Sequence, residues 1–367
     1  MSLFTTAPGK YLWGTVAVLL NAVKFPALWF YYLPTFTRPH PEWSIFQSVM
    51  NNMMNSFLFH TAYVEATTPL DLRPGPLGDR FAAIPRGPDS LFTGALKLNS
   101  TVQPAPTGGI WYPNALKCAP ARGERPVLLH FHPGGYAMGD VRMDSAFAAK
   151  LLTDRVGSYA LWNLYRLATN PNGRFPAALQ DAISAYHYLT KDLSIPASSI
   201  VLSGDSAGGH IVICMLRYLA ENDTGLPAPK GALLWSPAVD LAAATKPETI
   251  SGNRNYTTDY LDPSFIAWGA SCFVSGDPSA VSYMNPLGAP FRSPCPIWAF
   301  WGGKEVFCDD IQSFVDQMKG VPGNSVSHRV ERLGNHNPFF AGNLTGWQAE
   351  AQNAADAAGD WIARLSS

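Results

Sequence analysis

The chain has 367 residues and a net charge of −1, and 47% of its residues are hydrophobic whereas only 14% are charged. A typical soluble domain has roughly 25% charged residues, so we expect a large buried core or a surface that meets apolar partners. The sequence has no long basic run, which argues against nucleic acid as a partner. The five cysteines are scattered and odd in number, and they indicate neither a disulfide framework nor a zinc site.

Residues 11–33, the first predicted element, form an apolar stretch about as long as a membrane-spanning helix. Asn21, Lys24 and Pro26 interrupt it, and a charge and a helix breaker near the middle argue against a simple span. We therefore favour a helix that lies on the body of the protein or makes peripheral contact with a membrane, over a spanning anchor or a cleaved signal peptide. The corresponding expectation for localisation is cytoplasmic or associated with the endoplasmic-reticulum membrane.

The next residues, 34–90, contain helix-like stretches broken by prolines, and from residue 91 onward short apolar runs alternate with helical ones. Strands are predicted at 91–100, 108–113, 125–135, 158–165, 199–204, 230–237, 296–303 and 325–333. Helices are predicted at 143–155, 176–193, 207–222 and 345–365, the last with Asn343 or Thr345 as its cap.

Alternation of this kind predicts a mostly parallel sheet covered by helices on both faces. Residues 241–291 break the alternation because they are rich in turn residues and aromatics, so we expect a cap insertion there. With residues 1–70 it would form a lid over a catalytic domain spanning 71–367. Ligands bind beyond the carboxyl ends of parallel strands, and each motif described next falls at such an end.

The first motif is GDSAG, which places Ser206 between a predicted strand and a predicted helix. Gly204 and Gly208 remove side chains that would clash in so tight a turn, and the helix N-terminus favours negative charge beside the hydroxyl. The alternative is an ordinary serine cap with helper glycines. The order of the surrounding elements favours a nucleophile.

A serine nucleophile needs a base, and His336 follows the last predicted strand, on a loop that can reach the sheet edge. The other histidines lie in the N-terminal region, inside a helix or inside a strand (His40, His60, His187, His210, His328). His130 and His132 form an H-x-H pair on one face of a predicted strand, but no third ligand has matching spacing, so we expect no metal and no cofactor.

The remaining parts of the chemistry are an acid and donors for an oxyanion. Glu305 comes first after the strand 296–303, which gives the chain order serine, acid, histidine, and Asp309 is the reserve candidate for the acid. Asp309 and its neighbour Asp310 also suit the first turn of the next helix. The backbone N–H groups of Gly134 and Gly135, with that of Ala207, are candidate oxyanion donors, whereas Pro133 has none.

Together these motifs resemble the hormone-sensitive-lipase-like family of α/β-hydrolases, from about residue 90 to the end. The resemblance rests on HPGGY, GDSAGG, YRLATN followed by RFPAALQDA, GGKEVFCDD and His336. Pro133 replaces the first glycine of the family's His-Gly-Gly-Gly loop, and Glu305 stands where an aspartate is more common. The apolar N-terminus is most similar to fungal members, for which the resemblance implies cap helices and, in some members, a part in small-molecule biosynthesis.

Three functions follow from this resemblance. The first is a serine carboxylesterase that cleaves an ester or lactone of a moderately apolar acyl compound through an acyl-enzyme. The second uses the same triad for acyl transfer or ring closure. The third is a binding protein without catalysis on the same fold, which the presence of Ser206, His336 and an acid disfavours. The oligomeric state and the use of the four N-x-S/T sites, at Asn99, Asn222, Asn255 and Asn343, stay open.

Overall fold

The computed structural model describes residues 4–118 and 124–365, so the outermost ends of the predicted segments 1–70 and 71–367 lie outside the described residues. Eight strands form one sheet in the order β1-β2-β4-β3-β5-β6-β7-β8. The strands are β1 Phe81–Ile84, β2 Thr107–Tyr112, β3 Val127–Phe131, β4 Tyr159–Asn163, β5 Ile200–Asp205, β6 Gly231–Trp235, β7 Ile297–Gly302 and β8 Val326–Glu331.

Thirteen α-helices occur in the described residues. They are α1 Gly9–Tyr31, α2 Ile45–Tyr63, α3 Val141–Asp144, α4 Ala146–Leu151, α5 Ala177–His187, α6 Ala207–Glu221, α7 Leu241–Ala244, α8 Pro247–Ser251, α9 Pro263–Phe273, α10 Val281–Met284, α11 Cys308–Gly320, α12 Pro338–Thr345 and α13 Gln348–Arg364.

The sheet is mostly parallel, as the sequence predicts. β2 runs antiparallel to β1 and β4, while every pair from β4 through β3 to β8 is parallel. The chain leaves β3 for β4 on one side and returns to β5 on the other. In open parallel sheets such a reversal places a crevice at the carboxyl ends of the two strands, here β3 and β5, and ligands bind there.

Both faces of the sheet are buried, which explains the continuous apolar runs of the central strands. One face packs against α5, α6 and α11 through side chains such as Leu129 and Leu202. The opposite face packs against α4 and α13 through side chains such as Leu128 and Val201. Because side chains alternate along a strand, neighbouring residues serve the two cores.

Several predicted elements differ from the observed ones. Residues 91–100 form no strand but short 3-10 turns, including Gly94–Lys97, because Gly94 has a positive φ that breaks an extended run. The final helix begins at Gln348 without a side-chain cap; Asn343 and Thr345 belong to the preceding α12, which sequence analysis missed. Pro26 lies inside α1 without ending it.

The turn-rich segment 241–291 contains α7 to α10. α9 packs on α2 and reaches the loop after β3, where a methyl group placed on Gly269 would lie 2.1 Å from the carbonyl oxygen of Gly135. α2 from segment 1–70 and α9 from segment 241–291 therefore meet beside the crevice, although the two segments are far apart in the sequence.

Candidate active site

Ser206 stands between β5 and α6 with φ +52° and ψ −112°, outside the regions that side-chain-bearing residues normally occupy. Its backbone N–H donates to the carbonyl of Trp235 at 2.9 Å, and its own carbonyl accepts from His210 at 3.0 Å and Ala238 at 3.1 Å. These hydrogen bonds hold the strained residue in place at the N-terminus of α6.

Two glycines make this turn sterically feasible. A methyl group on Gly204 would lie 2.2 Å from the carbonyl oxygen of Gly208, and one on Gly208 would lie 2.0 Å from that of Phe131. Neither position can carry a side chain, since real Cβ atoms do not approach oxygen so closely. The G-x-S-x-G spacing thus brings the first turn of α6 against the end of β3.

His336 lies five residues beyond β8, and Glu305 lies three residues beyond β7. Nδ1 of His336 is 3.5 Å from Oε2 of Glu305, an ion-pair distance that is long for a hydrogen bond, and both side chains are buried. Among the described residues, Nδ1 of His336 and Oε1 of Glu305 have no hydrogen-bond partner. A small approach of the two side chains would pair them, as commonly happens when substrate binds.

The carboxylate of Glu305 is held by three donors. Its Oε2 accepts a hydrogen bond from the Ser236 hydroxyl at 2.6 Å and from the backbone N–H groups of Gly302 and Asn337, each at 3.3 Å. The Ser236 hydroxyl also accepts from the Asn337 N–H at 3.0 Å. Ser236 follows β6 directly, so the ends of β6 and β7 and the histidine loop share one buried polar cluster. Sequence analysis missed Ser236; the WSP sequence after a buried strand is its only signal.

Asp259 is a second buried carboxylate beside the histidine. Its Oδ1 accepts from the backbone N–H of His336 at 3.1 Å, and its Oδ2 accepts from that of Val306 at 2.7 Å. Asp259 therefore connects segment 241–291 to the loops that carry Glu305 and His336. Burial raises the pKa of Asp259 to about 6, with the negative charge of Glu305 adding to the rise and His336 opposing it. No local sequence pattern marks this aspartate, which is why the sequence-based analysis overlooked it.

The pKa of His336 reflects opposing influences. Burial lowers it, but the carboxylate of Glu305 beside the ring, with Asp259 and Asp205 further away, raises it, and the net direction is upward from the ordinary value. The imidazolium form is thus stabilised by a surplus of negative charge, which is what a base that must accept a proton requires.

Asp309, the reserve acid, is not beside His336. Its carboxylate forms a two-pronged ion pair with Arg254 at the surface, at 2.6 and 2.8 Å, and hydrogen bonding to this guanidinium lowers the pKa of Asp309. Asp309 and Asp310 both lie in the first turn of α11, where acidic side chains favour the helix dipole.

The HPGG loop lies at the end of β3. Gly134 has φ +116° and Gly135 has φ +61°, and a methyl group on Gly134 would lie 2.0 Å from the carbonyl oxygen of Met138. No hydrogen bond between described residues uses the backbone N–H of Gly134, Gly135 or Ala207. The loop thus leaves two donors beside the crevice and the start of α6 leaves a third, and the ring of Phe265 from α9 packs on Gly135.

His130 and His132 do not act together. His130, on β3, contacts Ser203 at 2.9 Å and Asp205 at 2.8 Å, whereas His132 lies beyond the strand and stacks on Tyr165. Both belong to the packing beneath the site. The described residues contain no group of three or more His, Cys, Asp or Glu side chains suited to a metal ion.

Known proteins share the fold of this chain. Residues 128–339 match a family model described as "alpha/beta hydrolase fold". The chain is 30% identical over 194 residues to an acetyl-hydrolase of Streptomyces hygroscopicus, which covers 53% of this chain and 62% of that protein. It is 28% identical over 268 residues to the versiconal hemiacetal acetate esterase of Emericella nidulans, covering 65% and 86%. The match to the acetyl-hydrolase spans less than two thirds of that relative.

Solved structures share the fold. A hormone-sensitive lipase from a metagenome library is 25% identical, covers 70% of this chain and 82% of its own, and superposes with a TM-score of 0.57. An esterase from the bacterial hormone-sensitive lipase family is 21% identical, covers 89% and 99%, and gives a TM-score of 0.61. The similarity to fungal members stays a prediction, but the resemblance to hormone-sensitive-lipase-like α/β-hydrolases is confirmed, and this chain belongs to the α/β-hydrolase family whose model spans its residues 128–339.

Proposed function

We propose that this protein is a serine carboxylesterase that cleaves a carboxylic ester or lactone through an acyl-enzyme. The observation that carries the proposal is the buried pair of His336 and Glu305, at 3.5 Å, on the same sheet edge as the strained Ser206. Relatives named as an acetyl-hydrolase and an acetate esterase support the same class of reaction.

In the proposed reaction, the Ser206 hydroxyl oxygen attacks the ester carbonyl carbon while the imidazole of His336 takes its proton. Glu305 holds the ring and stabilises the imidazolium that forms. The N–H groups of Gly134, Gly135 and Ala207 stabilise the tetrahedral oxyanion. The imidazolium then protonates the departing alcohol, and water repeats the sequence on the acyl-enzyme.

Where the substrate is an open-chain ester, we propose that its acyl group is small. The ring of Phe265 packs on Gly135, where a methyl group would lie only 3.2 Å from Cε1, so α9 restricts the space beside the donors. The names of two relatives, an acetyl-hydrolase and a hemiacetal acetate esterase, point in the same direction. A moderately apolar alcohol portion would suit the aromatic side chains of the 241–291 segment.

Turnover of p-nitrophenyl esters from acetate to octanoate tests the proposal, with Ser206→Ala as the control. We expect acetate and butyrate to be preferred. Ser206→Ala should retain the fold and lose several orders of magnitude in kcat, because a triad acts as one unit. Residual activity of about a tenth or more would exclude Ser206 as nucleophile. Products followed in added alcohol distinguish hydrolysis from acyl transfer.

A further inference from the structure

The exposed side of α1 is unusual for a helix that meets water. From Tyr11 to Tyr31, none of its exposed residues is charged. They are Tyr11, Leu12, Gly14, Thr15, Val18, Leu19, Leu20, Ala22, Val23, Phe25, Pro26, Ala27, Trp29, Phe30 and Tyr31, which we call the outer face of α1. Contiguous apolar surfaces of this extent usually mark a contact with a partner or a membrane.

The asparagine and the lysine within this span point the other way. Asn21 and Lys24 share a partly buried stripe with Trp13 and Ala17, and the Asn21 side chain donates to the carbonyl of Ala17 at 2.9 Å. The inverse arrangement occurs in α13, which buries alanines and exposes Asn353, Asp356, Asp360 and Arg364. A helix with polar residues inward and apolar residues outward matches a hydrocarbon environment.

α2 extends this apolar surface. Apart from the N-terminal Lys10 and the inward Lys24, neither helix contains Asp, Glu, Lys or Arg. The exposed large side chains of α2 are Phe46, Phe57, Phe59 and Tyr63. Aromatic residues also cluster at the end of α1, in Trp29 to Tyr31, as is common at the boundary between lipid and water.

α1 is long and apolar enough to cross a bilayer by length and composition alone. Three contacts instead hold it along α2. The Trp13 and Tyr63 rings contact each other at a tilt of 32°, with their centroids 4.3 Å apart, Lys10 donates to the carbonyl of Glu65, and Asn52 donates to the hydroxyl of Tyr32, directly after α1. Crossing the bilayer would remove these contacts and carry the Lys24 charge into the hydrocarbon.

We propose that the outer face of α1, with the exposed aromatics of α2, inserts into one leaflet of a neutral phospholipid bilayer, α1 lying in the membrane plane. A charge-free surface complements uncharged lipid and needs no anionic headgroup, so binding should depend little on salt. The body of the protein then lies at the membrane interface. α2 connects this surface to the site, because it packs on α9 and its Asn51 accepts a hydrogen bond from Asn335, next to His336.

Flotation of the full chain with phosphatidylcholine vesicles tests this proposal. We expect the wild type to float at low and high salt, with no gain from added phosphatidylserine. Val23→Glu together with Leu19→Glu should lower the bound fraction about tenfold or more, because charge is costly in hydrocarbon. Val281→Glu is the matched control, since this valine is 56% exposed on another surface and Val23 is 74% exposed.

Four results would overturn the proposal. Two of them come from flotation, and they are a wild type that does not float and a double variant that floats as well as Val281→Glu. Another is a dimer that forms with rising protein concentration in lipid-free solution. If the double substitution abolishes this dimer and leaves flotation unchanged, the outer face is a contact between two copies. The last comes from a fluorophore attached to the N-terminus of the protein bound to sealed vesicles. If a quencher added outside the vesicles cannot reach this fluorophore, α1 crosses the bilayer. Equal thermal unfolding midpoints establish that the variants are folded, independently of any catalytic activity.

Discussion

Glu305 and Asp309 illustrate how two carboxylates in one sequence motif acquire different surroundings. Glu305 is fully buried and lies 3.5 Å from His336, whereas Asp309 forms an ion pair with Arg254 at the surface. Buried carboxylates at this position orient the histidine and stabilise its charged form. The Gly-Gly turn before Glu305 places it at the sheet edge, and the start of α11 carries Asp309 away.

We therefore expect Glu305→Gln to lower kcat by roughly two to four orders of magnitude. The change keeps an oxygen for the donors of Ser236, Gly302 and Asn337, so the thermal midpoint should change little. Asp309→Asn is the matched control and should leave kcat within about twofold, since exposed ion pairs contribute little. Steady-state kinetics of the two variants test this assignment. If Asp309→Asn lowers kcat strongly and Glu305→Gln does not, Glu305 is not the acid.

The charge around His336 has a consequence for pH dependence. The imidazole must be neutral to act as base, and its pKa is raised, so kcat/KM should rise with pH and reach half its maximum above about pH 6.5. Glu305→Gln removes negative charge, which lowers the histidine pKa and moves this acid limb to lower pH. pH profiles of kcat/KM for the wild type and for Glu305→Gln measure the position of the acid limb and its shift. An acid limb that Glu305→Gln leaves unchanged would contradict the pairing of Glu305 with His336.

At the scale of elements, segment 241–291 is joined through Asp259 to the loops that carry Glu305 and His336. The carboxylate accepts from the N–H groups of His336 and Val306, and an asparagine would turn an N–H₂ toward one of these donors. We expect Asp259→Asn to lower kcat by about tenfold, since an unpaired buried donor costs roughly 1–3 kcal/mol. It should also move the acid limb to lower pH, because the charge of Asp259 raises the pKa of His336.

The control for this change is Asp262→Asn. Asp262 lies in the same segment and accepts from the N–H groups of Ser264 and Phe265 at the start of α9, and no hydrogen bond or ion pair among the described residues joins it to His336. Asparagine caps helices nearly as well as aspartate, so this variant should behave like the wild type. If both variants lose activity equally with an unchanged pH profile, Asp259 supports only the packing of the segment.

The sequence predicted elements whose patterns are local. Apolar runs ended by glycine or proline identified the parallel strands, and GDSAG identified the turn at Ser206. Contacts between distant segments could not be predicted in this way. Asp259 reaches His336 across 77 residues, and Ser236 reaches Glu305 across 69, and neither spacing leaves a periodic pattern.

At the scale of the whole molecule, the sheet brings together residues from the ends of β3, β5, β6 and β7 and from the loop after β8. Chain order alone suggested this convergence, because parallel strands end at one edge. Composition alone could not predict which side of α1 carries Asn21 and Lys24. Lys24 seemed to interrupt an apolar stretch, but in three dimensions it faces α2.

The central claim is that Ser206 is a nucleophile activated by His336, and covalent trapping tests it most directly. The full chain is treated with a p-nitrophenyl phosphonate, and the modified residue is located by peptide mass spectrometry. We predict one phosphonyl group per chain, on Ser206, formed at least about a hundredfold more slowly in His336→Ala. Absence of labelling in the folded wild type, labelling of another residue, or an unchanged rate in His336→Ala would contradict the claim.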